Sequence, residues 1–266
     1  MSELRADELS PAESGATTTR TRRPLVIVVS IVIGVAVLVG LFFVVDLVVR
    51  GVAERRVSEE IVSNLPENVT ATPTVSLGGA SVIAQYLAGT FDDIKITAPD
   101  AVVDGIPVDL ALQLNGFPVD TSKPVAEASG TAVLSQQAVN DLIERTAPNS
   151  AVELGQGELS YAASATFLGF TVGYRVTGEV EAAGDSVLVA PTGAEVTAGG
   201  GGFDLSRLLS AIVGADPISV CTARYLPVGV SIADIDVKPR AVTVQLEASD
   251  MVFSQASLQT LGSCSQ

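Results

Sequence analysis

Cys221 and Cys264 are the only two cysteines in the chain, and there is no histidine. Without imidazole, neither a Ser-His-Asp nor a Cys-His nucleophile system can be assembled. Two thiols alone cannot complete the usual four-ligand zinc site, so no metal or cofactor is expected. Two lone cysteines outside a reducing cytoplasm most often pair. Such a bridge would tie the C-terminal end back onto the body of the chain; the other reading is two buried free thiols. The remaining candidates for chemistry are the carboxylate pairs Asp92-Asp93 and Asp234-Ile235-Asp236. Paired acids serve glycosidases. Here the adjacent Asp92 and Asp93 read as turn caps, and Asp234 and Asp236 as two residues on one solvent face of a strand. Neither pair is assigned catalysis, and the chain reads as a non-enzyme. The glycine run Gly199 to Gly202 is followed by Phe203-Asp204. A phosphate-cradling loop needs Lys-Ser or Lys-Thr at that point, so the run reads as a turn.

The element that must position everything else is the run from Leu25 to Val45, which carries no charge. As a helix its twenty-one residues span about 32 Å, the thickness of a bilayer's hydrocarbon core. No polar face recurs at period 3.6, as it would in a soluble helix. A transmembrane anchor over 24–49 is expected, with 1–23 a disordered cytoplasmic tail and 50–266 an extracytoplasmic domain. Arg20, Arg22 and Arg23 precede the run, which places the N-terminus inside and makes this a single-pass protein of the cell membrane. Arg50, Arg55 and Arg56 on the far side oppose that assignment. A cleaved signal peptide is the rival reading. Its apolar region would be about 7–15 residues and would end in a small-x-small site. This run is longer and meets Val48-Val49-Arg50-Gly51 instead.

The chain has 15 basic and 30 acidic residues, a net charge of −15. All of the excess acid lies beyond residue 50. Such a domain repels phosphate backbones, so nucleic acid is not an expected partner.

Beyond the anchor, Val48, Val52, Val57, Ile61 and Leu65 form an apolar stripe on a helix that is continuous with the anchor or kinked at Gly51 and ends at Pro66. Thr74 to Leu77 reads as a short strand. Ala80 to Gly89 reads as a short helix with Ser81 able to cap it and Gly89 at its exit. Thr90 to Asp93 reads as a turn into a strand at Ile94–Thr97. Ile106, Val108, Leu110, Leu112 and Leu114 alternate with Pro107, Asp109, Ala111, Gln113 and Asn115, a strand with Pro107 at its start or at an edge. Val125 to Val133 is a strand rich in small residues. Ser135 caps a helix that runs to Arg145. Val152 to Val189 reads as an antiparallel meander. Leu205, Leu208, Leu209 and Ile212 give a short amphipathic helix, and strands return over 219–221, 228–237 and 241–246. The fold class is α+β, with long antiparallel strands and a few short helices packed on them.

Val75 to Ile96 resembles the opening motif of the LmeA-like phospholipid-binding proteins of actinobacterial envelopes. A strand ends in glycine, a short apolar helix carries Gln85 and closes on Gly89, and a strand follows; Gly79, Leu87 and Ile94 also match. Where that family usually has Pro-Phe-Leu, this chain has Ser81-Val82-Ile83. Leu226 to Val237, followed by Val242-Thr243-Val244, resembles the family's closing strand pair. The resemblance implies an extracytoplasmic fold similar to tubular lipid-binding (TULIP-like) proteins, in which a long twisted antiparallel sheet wraps a few helices around an acyl-chain groove. On that reading the partner is a phospholipid or glycolipid, and the role is envelope lipid handling. The expected groove walls are the short helices: Val82, Ile83, Leu87 and Phe91; Val139, Leu142 and Ile143; Leu208, Leu209 and Ile212. The alternative is a structural or interaction domain of the envelope with a filled core and no ligand.

Overall fold

The computed structural model describes residues 23–148, 150–167, 170–198 and 216–264. Leu208, Leu209, Ile212 and the glycine run before them lie outside these residues. The chain divides into two units, Met1–Val45 and Asp46–Gln266.

Helix α1 (Arg23–Ser63) runs without interruption through Gly51. From residue 26 to residue 45 its side chains are all exposed. Among the described residues it is the helix long and apolar enough to cross a bilayer. The second unit begins at Asp46, on the same helix, and its burial pattern changes at once.

Strands β1 (Val69–Thr70) and β2 (Thr74–Leu77) come first, then helix α2 (Val82–Ala88). Strands β3 (Thr90–Val103), β4 (Ile106–Pro118) and β5 (Val125–Ser135) follow, and helix α3 (Gln136–Thr146) leaves directly from β5. A meander follows: β6 (Ala151–Leu154), β7 (Glu158–Phe167), β8 (Phe170–Ala183), β9 (Ser186–Ala198) and β10 (Ile218–Cys221). The chain then closes with β11 (Val230–Lys238), β12 (Ala241–Met251) and the short helix α4 (Gln255–Gln259).

These strands form two antiparallel sheets rather than one. The larger has the order β1-β3-β4-β5-β12-β11, with β2 also paired to β3; the smaller has the order β10-β9-β8-β7-β6. The whole meander is thus inserted between β5 and its sheet neighbour β12. Neither sheet closes on itself. The β3–β4 hairpin turns on Asp104-Gly105, both at positive φ, the pairing that matches the strands' own twist. Pro107 pairs with Val102 on β3, while pairing to β5 begins only at Asp109, so no ladder bond is lost to the missing N–H.

The expected turn at Thr90–Asp93 is instead the start of β3. The reversal is completed one residue earlier by Gly89, at φ 85°, whose N–H donates to the carbonyls of Gln85 and Tyr86. Asp92 and Asp93 are therefore strand residues, not turn caps: the Asp92 N–H donates to Gln85 Oε1 and Asp93 accepts from Gln113. Asp234 and Asp236 are partnered too, by Gln245 and Lys238.

Two of the edge strands, β2 and β6, are covered by helix side chains. Along α1, Arg50 donates to the carbonyls of Leu77 and Gly79, Glu54 accepts from the Leu77 N–H, and Ser58 donates to the Pro73 carbonyl. These residues are four apart and lie on one helix face, so they serve the free edge of β2 in sequence. On α3, Gln136 and Asn140 do the same for β6, bonding the backbone of Val152 and Leu154. Cys221 and Cys264 form a disulfide that closes a 43-residue separation.

Candidate functional site

One face of the larger sheet is apolar across the strands β3, β4, β5 and β12. Pairing register puts its residues in rows. Ile94, Leu114, Ala128 and Ala248 form one row; Ile96, Leu112, Gly130 and Leu246 the next; Ala98, Leu110, Ala132 and Val244 the third. The opposite face carries Lys95, Gln113, Ser129 and Glu247, a row lying between the first and the second. Alternation along each strand produces this division directly.

The rows are not equally covered. The first is buried, in a cluster with Val75, Leu77, Val82, Val125 and Met251. At the far end, Val237 is buried with Val152 and Leu154 of the smaller sheet, and Val139 and Ile143 of α3 pack there. Between the two ends, Leu112, Gly130, Leu246, Ala132 and Val244 are only half-buried, and Leu110 is exposed.

The middle strand makes this open stretch a trough. On the apolar face β5 presents Ala128, Gly130 and Ala132, while β4 and β12 on either side present Leu110, Leu112, Val244 and Leu246. Small residues form the floor and larger aliphatics the walls. A cavity of about 100 Å³ lies there, bordered by Leu112, Gly130, Val230, Leu246, Ala248 and Phe253 among others. Gly130 is in an ordinary strand, and an added Cβ would sit 3.5 Å from Leu246 Cβ, which is normal contact. Neither backbone conformation nor crowding requires glycine at this position. The consequence of having it is the missing side chain.

The near end of the trough is built around Asp46. Its carboxylate accepts from Ser81 Oγ at 2.7 Å and from the Ile83 N–H at 2.9 Å, with Arg50 Nη2 at 3.8 Å from the other oxygen. At 2% exposure Asp46 is fully enclosed, and these donors are what make its burial tolerable. Gln85 completes the joint. It is buried, donates to the carbonyls of Gly78 and Ser81, and accepts from the Asp92 N–H. Gly79 is at φ 81°, and a Cβ there would lie 2.4 Å from Gln85 Nε2. The Gly79–Gln85–Gly89 spacing noted in the sequence is therefore a clamp holding α2 between β2 and β3.

Among the described residues, the helix positions expected to wall a groove fall in different places. Val82 is in the first cluster, with Phe91 packed against it, whereas Val139 and Ile143 belong to the cluster at the opposite end. Ile83 is half-buried. Leu87 is 79% exposed and Leu142 47% exposed. Sequence reasoning placed Leu110 and Leu112 on an alternating strand but named none of Leu110, Leu112, Gly130, Leu246 and Phe253 as a groove residue. The usable signal was the run of small residues on β5 opposite aliphatic alternation on β4.

The model of the LmeA-like phospholipid-binding family matches residues 44–247. The chain belongs to that family. The match begins two residues before Asp46 and covers the clamp, β3, β4, β5 and β12 as far as Glu247; Ala248, Phe253 and Cys264 fall beyond it. No curated protein and no solved structure gives a significant match.

Proposed function

We propose that this LmeA-like chain is a membrane-tethered, extracytoplasmic lipid-binding protein that lays an acyl chain of a phospholipid or glycolipid along the trough of its larger sheet. The observation that carries the reading is the half-buried apolar row Leu112–Gly130–Leu246 between two closed ends. A sheet face of this kind costs free energy in water, and an acyl chain laid on it removes apolar area from solvent on both partners. The floor residues Ala128, Gly130 and Ala132 and the walls Leu110, Leu112, Val244 and Leu246 are aliphatic or small, which suits binding and handling of lipid in the cell envelope. Family membership supports phospholipid as the ligand class. The uncharged run before Asp46, the basic residues ahead of it, and the Cys221–Cys264 disulfide support a single-pass anchor with the folded unit outside the cytoplasm.

The chain contains no tryptophan, so one introduced residue is a clean optical probe. Leu110→Trp places it on the trough wall; Lys95→Trp places it on the opposite, polar face. Phospholipid brominated along its acyl chain, titrated into the full chain in detergent, should quench the first and leave the second bright. Equal quenching of both, or of neither, rules the trough out as the binding site.

A further inference from the structure

The exposed side of α2 has no counterpart in the trough and none in the core. The helix reads Val82-Ile83-Ala84-Gln85-Tyr86-Leu87-Ala88 and contains no charged residue. Val82 and Gln85 face inward, while Tyr86 is 60% and Leu87 79% exposed. A leucine and a tyrosine displayed side by side on a short uncharged helix are unfavourable against water.

The position of α2 indicates what covers them. Its first turn is hydrogen-bonded to Asp46, through the Ser81 hydroxyl and the Ile83 N–H. Asp46 directly follows Val45, the last residue of the uncharged run. If that run spans a bilayer, residue 46 lies at its surface by chain connectivity alone, and α2 lies there with it. Tyrosine favours that depth, where its ring meets the acyl region and its hydroxyl the headgroups. The same end of the unit holds the row Ile94–Leu114–Ala128–Ala248, which begins the trough, and from there Glu54 and Ser58 bond β2 progressively further along, so the open rows lead away from residue 46.

We infer that the Tyr86–Leu87 face of α2 is a bilayer-contact surface that inserts among lipids at the near end of the trough and sets that end against the membrane. The inference rests on the proposed span and deepens the lipid-binding reading: it assigns the place where a lipid would leave the bilayer.

The experiment uses spin labels on the full chain in vesicles of phosphatidylglycerol and phosphatidylethanolamine. Single cysteines are introduced at Leu87, Tyr86, Val37 and Leu142 and labelled without reducing the native disulfide. Collision with oxygen, which partitions into lipid, is compared with collision with a water-soluble nickel chelate. Val37, inside the uncharged run, reports the span; Leu142, exposed on α3, reports water. The expected result is a high oxygen-to-nickel ratio at Val37 and at Leu87, an intermediate one at Tyr86, and a low one at Leu142. A lipid-like Val37 with Leu87 matching Leu142 overturns the contact surface and leaves the span intact. A water-like Val37 overturns the span, and the contact surface with it. Because Leu87 and Tyr86 are exposed, labelling either leaves the fold in place; agreement between the two sites guards against a local artefact.

Discussion

Replacing Gly130 by leucine tests whether the trough is open space or packed protein. Gly130 sits in the middle of β5 with Leu112 and Leu246 directly across from it. Its Cβ position is 3.5 Å from Leu246 Cβ and 3.8 Å from Leu246 Cδ1, so the first added carbon fits without displacement. Glycine in a strand interior costs about 0.5–1 kcal/mol relative to alanine, so the substitution recovers that amount and further carbons extend into the cavity. Folding stability should hold or rise slightly. Lipid binding should fall, because the new side chain occupies the floor. If it displaces about three methylenes, at about 0.8 kcal/mol each, the loss is about 2.4 kcal/mol. That corresponds to roughly 50-fold in Kd, since about 1.4 kcal/mol is tenfold. The assay is quenching of Leu110→Trp by brominated-chain phospholipid, with and without Gly130→Leu, beside a thermal melt of each. A folded double variant with an unchanged midpoint refutes the trough. So does a melting temperature lowered by the roughly 1–3 kcal/mol of overpacking strain, because that means protein already fills the space.

Gln85→Leu should leave the Asp92 N–H and the Gly78 carbonyl without their partner inside the clamp. At about 1–3 kcal/mol for each of the two orphaned groups, and about 2–4 °C per kcal/mol for a unit of this size, the melt should drop by roughly 4–24 °C; an unchanged melt would mean the clamp contributes nothing. Converting both Cys221 and Cys264 to serine removes a link across 43 residues, for which loop entropy predicts about 4 kcal/mol; chemical denaturation of the two forms measures it, and coincident curves would contradict the estimate. A reporter enzyme that works only in the cytoplasm, fused after Gln266, should be silent in cells, and activity would reverse the proposed topology.

Local chemistry made much of the fold legible. Ser81 and Ser135 do cap α2 and α3, each accepting from the N–H three residues on, and Gly89 does end α2 in the left-handed conformation. The meander from β6 to β9 turns at Gly155–Gly157 and at Gly184-Asp185, as its glycines indicate. The pairing of β5 with β12 was not legible, because it joins residues more than a hundred positions apart and nothing in either strand names its partner. That one pairing separates two sheets from one.

The trough was hidden for a related reason. Helical periodicity makes apolar stripes conspicuous, so the short helices drew the expectation of a groove. Short helices use such stripes to hold on to the sheet. In α2 the inward position after Val82 is taken by Gln85, a polar residue, and this turns Leu87 outward. The trough depends on Gly130 lying between Leu112 and Leu246, and Leu246 comes from a strand more than a hundred positions away. Only register brings them together. Likewise, Asp46 directly follows the uncharged run, and its carboxylate is bonded by Ser81 and Ile83. A carboxylate following an apolar run does not announce that its donors lie some thirty-five residues ahead.

The most direct test of acyl-chain binding in the trough is photocrosslinking. A phospholipid bearing a diazirine in its acyl chain is incorporated with the full chain into membranes, irradiated, and the adducts mapped by peptide mass spectrometry. Adducts on β4, β5 and β12, at Leu110, Leu112, Ala132 and Leu246, are the predicted result, lost in Gly130→Leu. Adducts confined to residues 25–45, with none on the sheet, would contradict it.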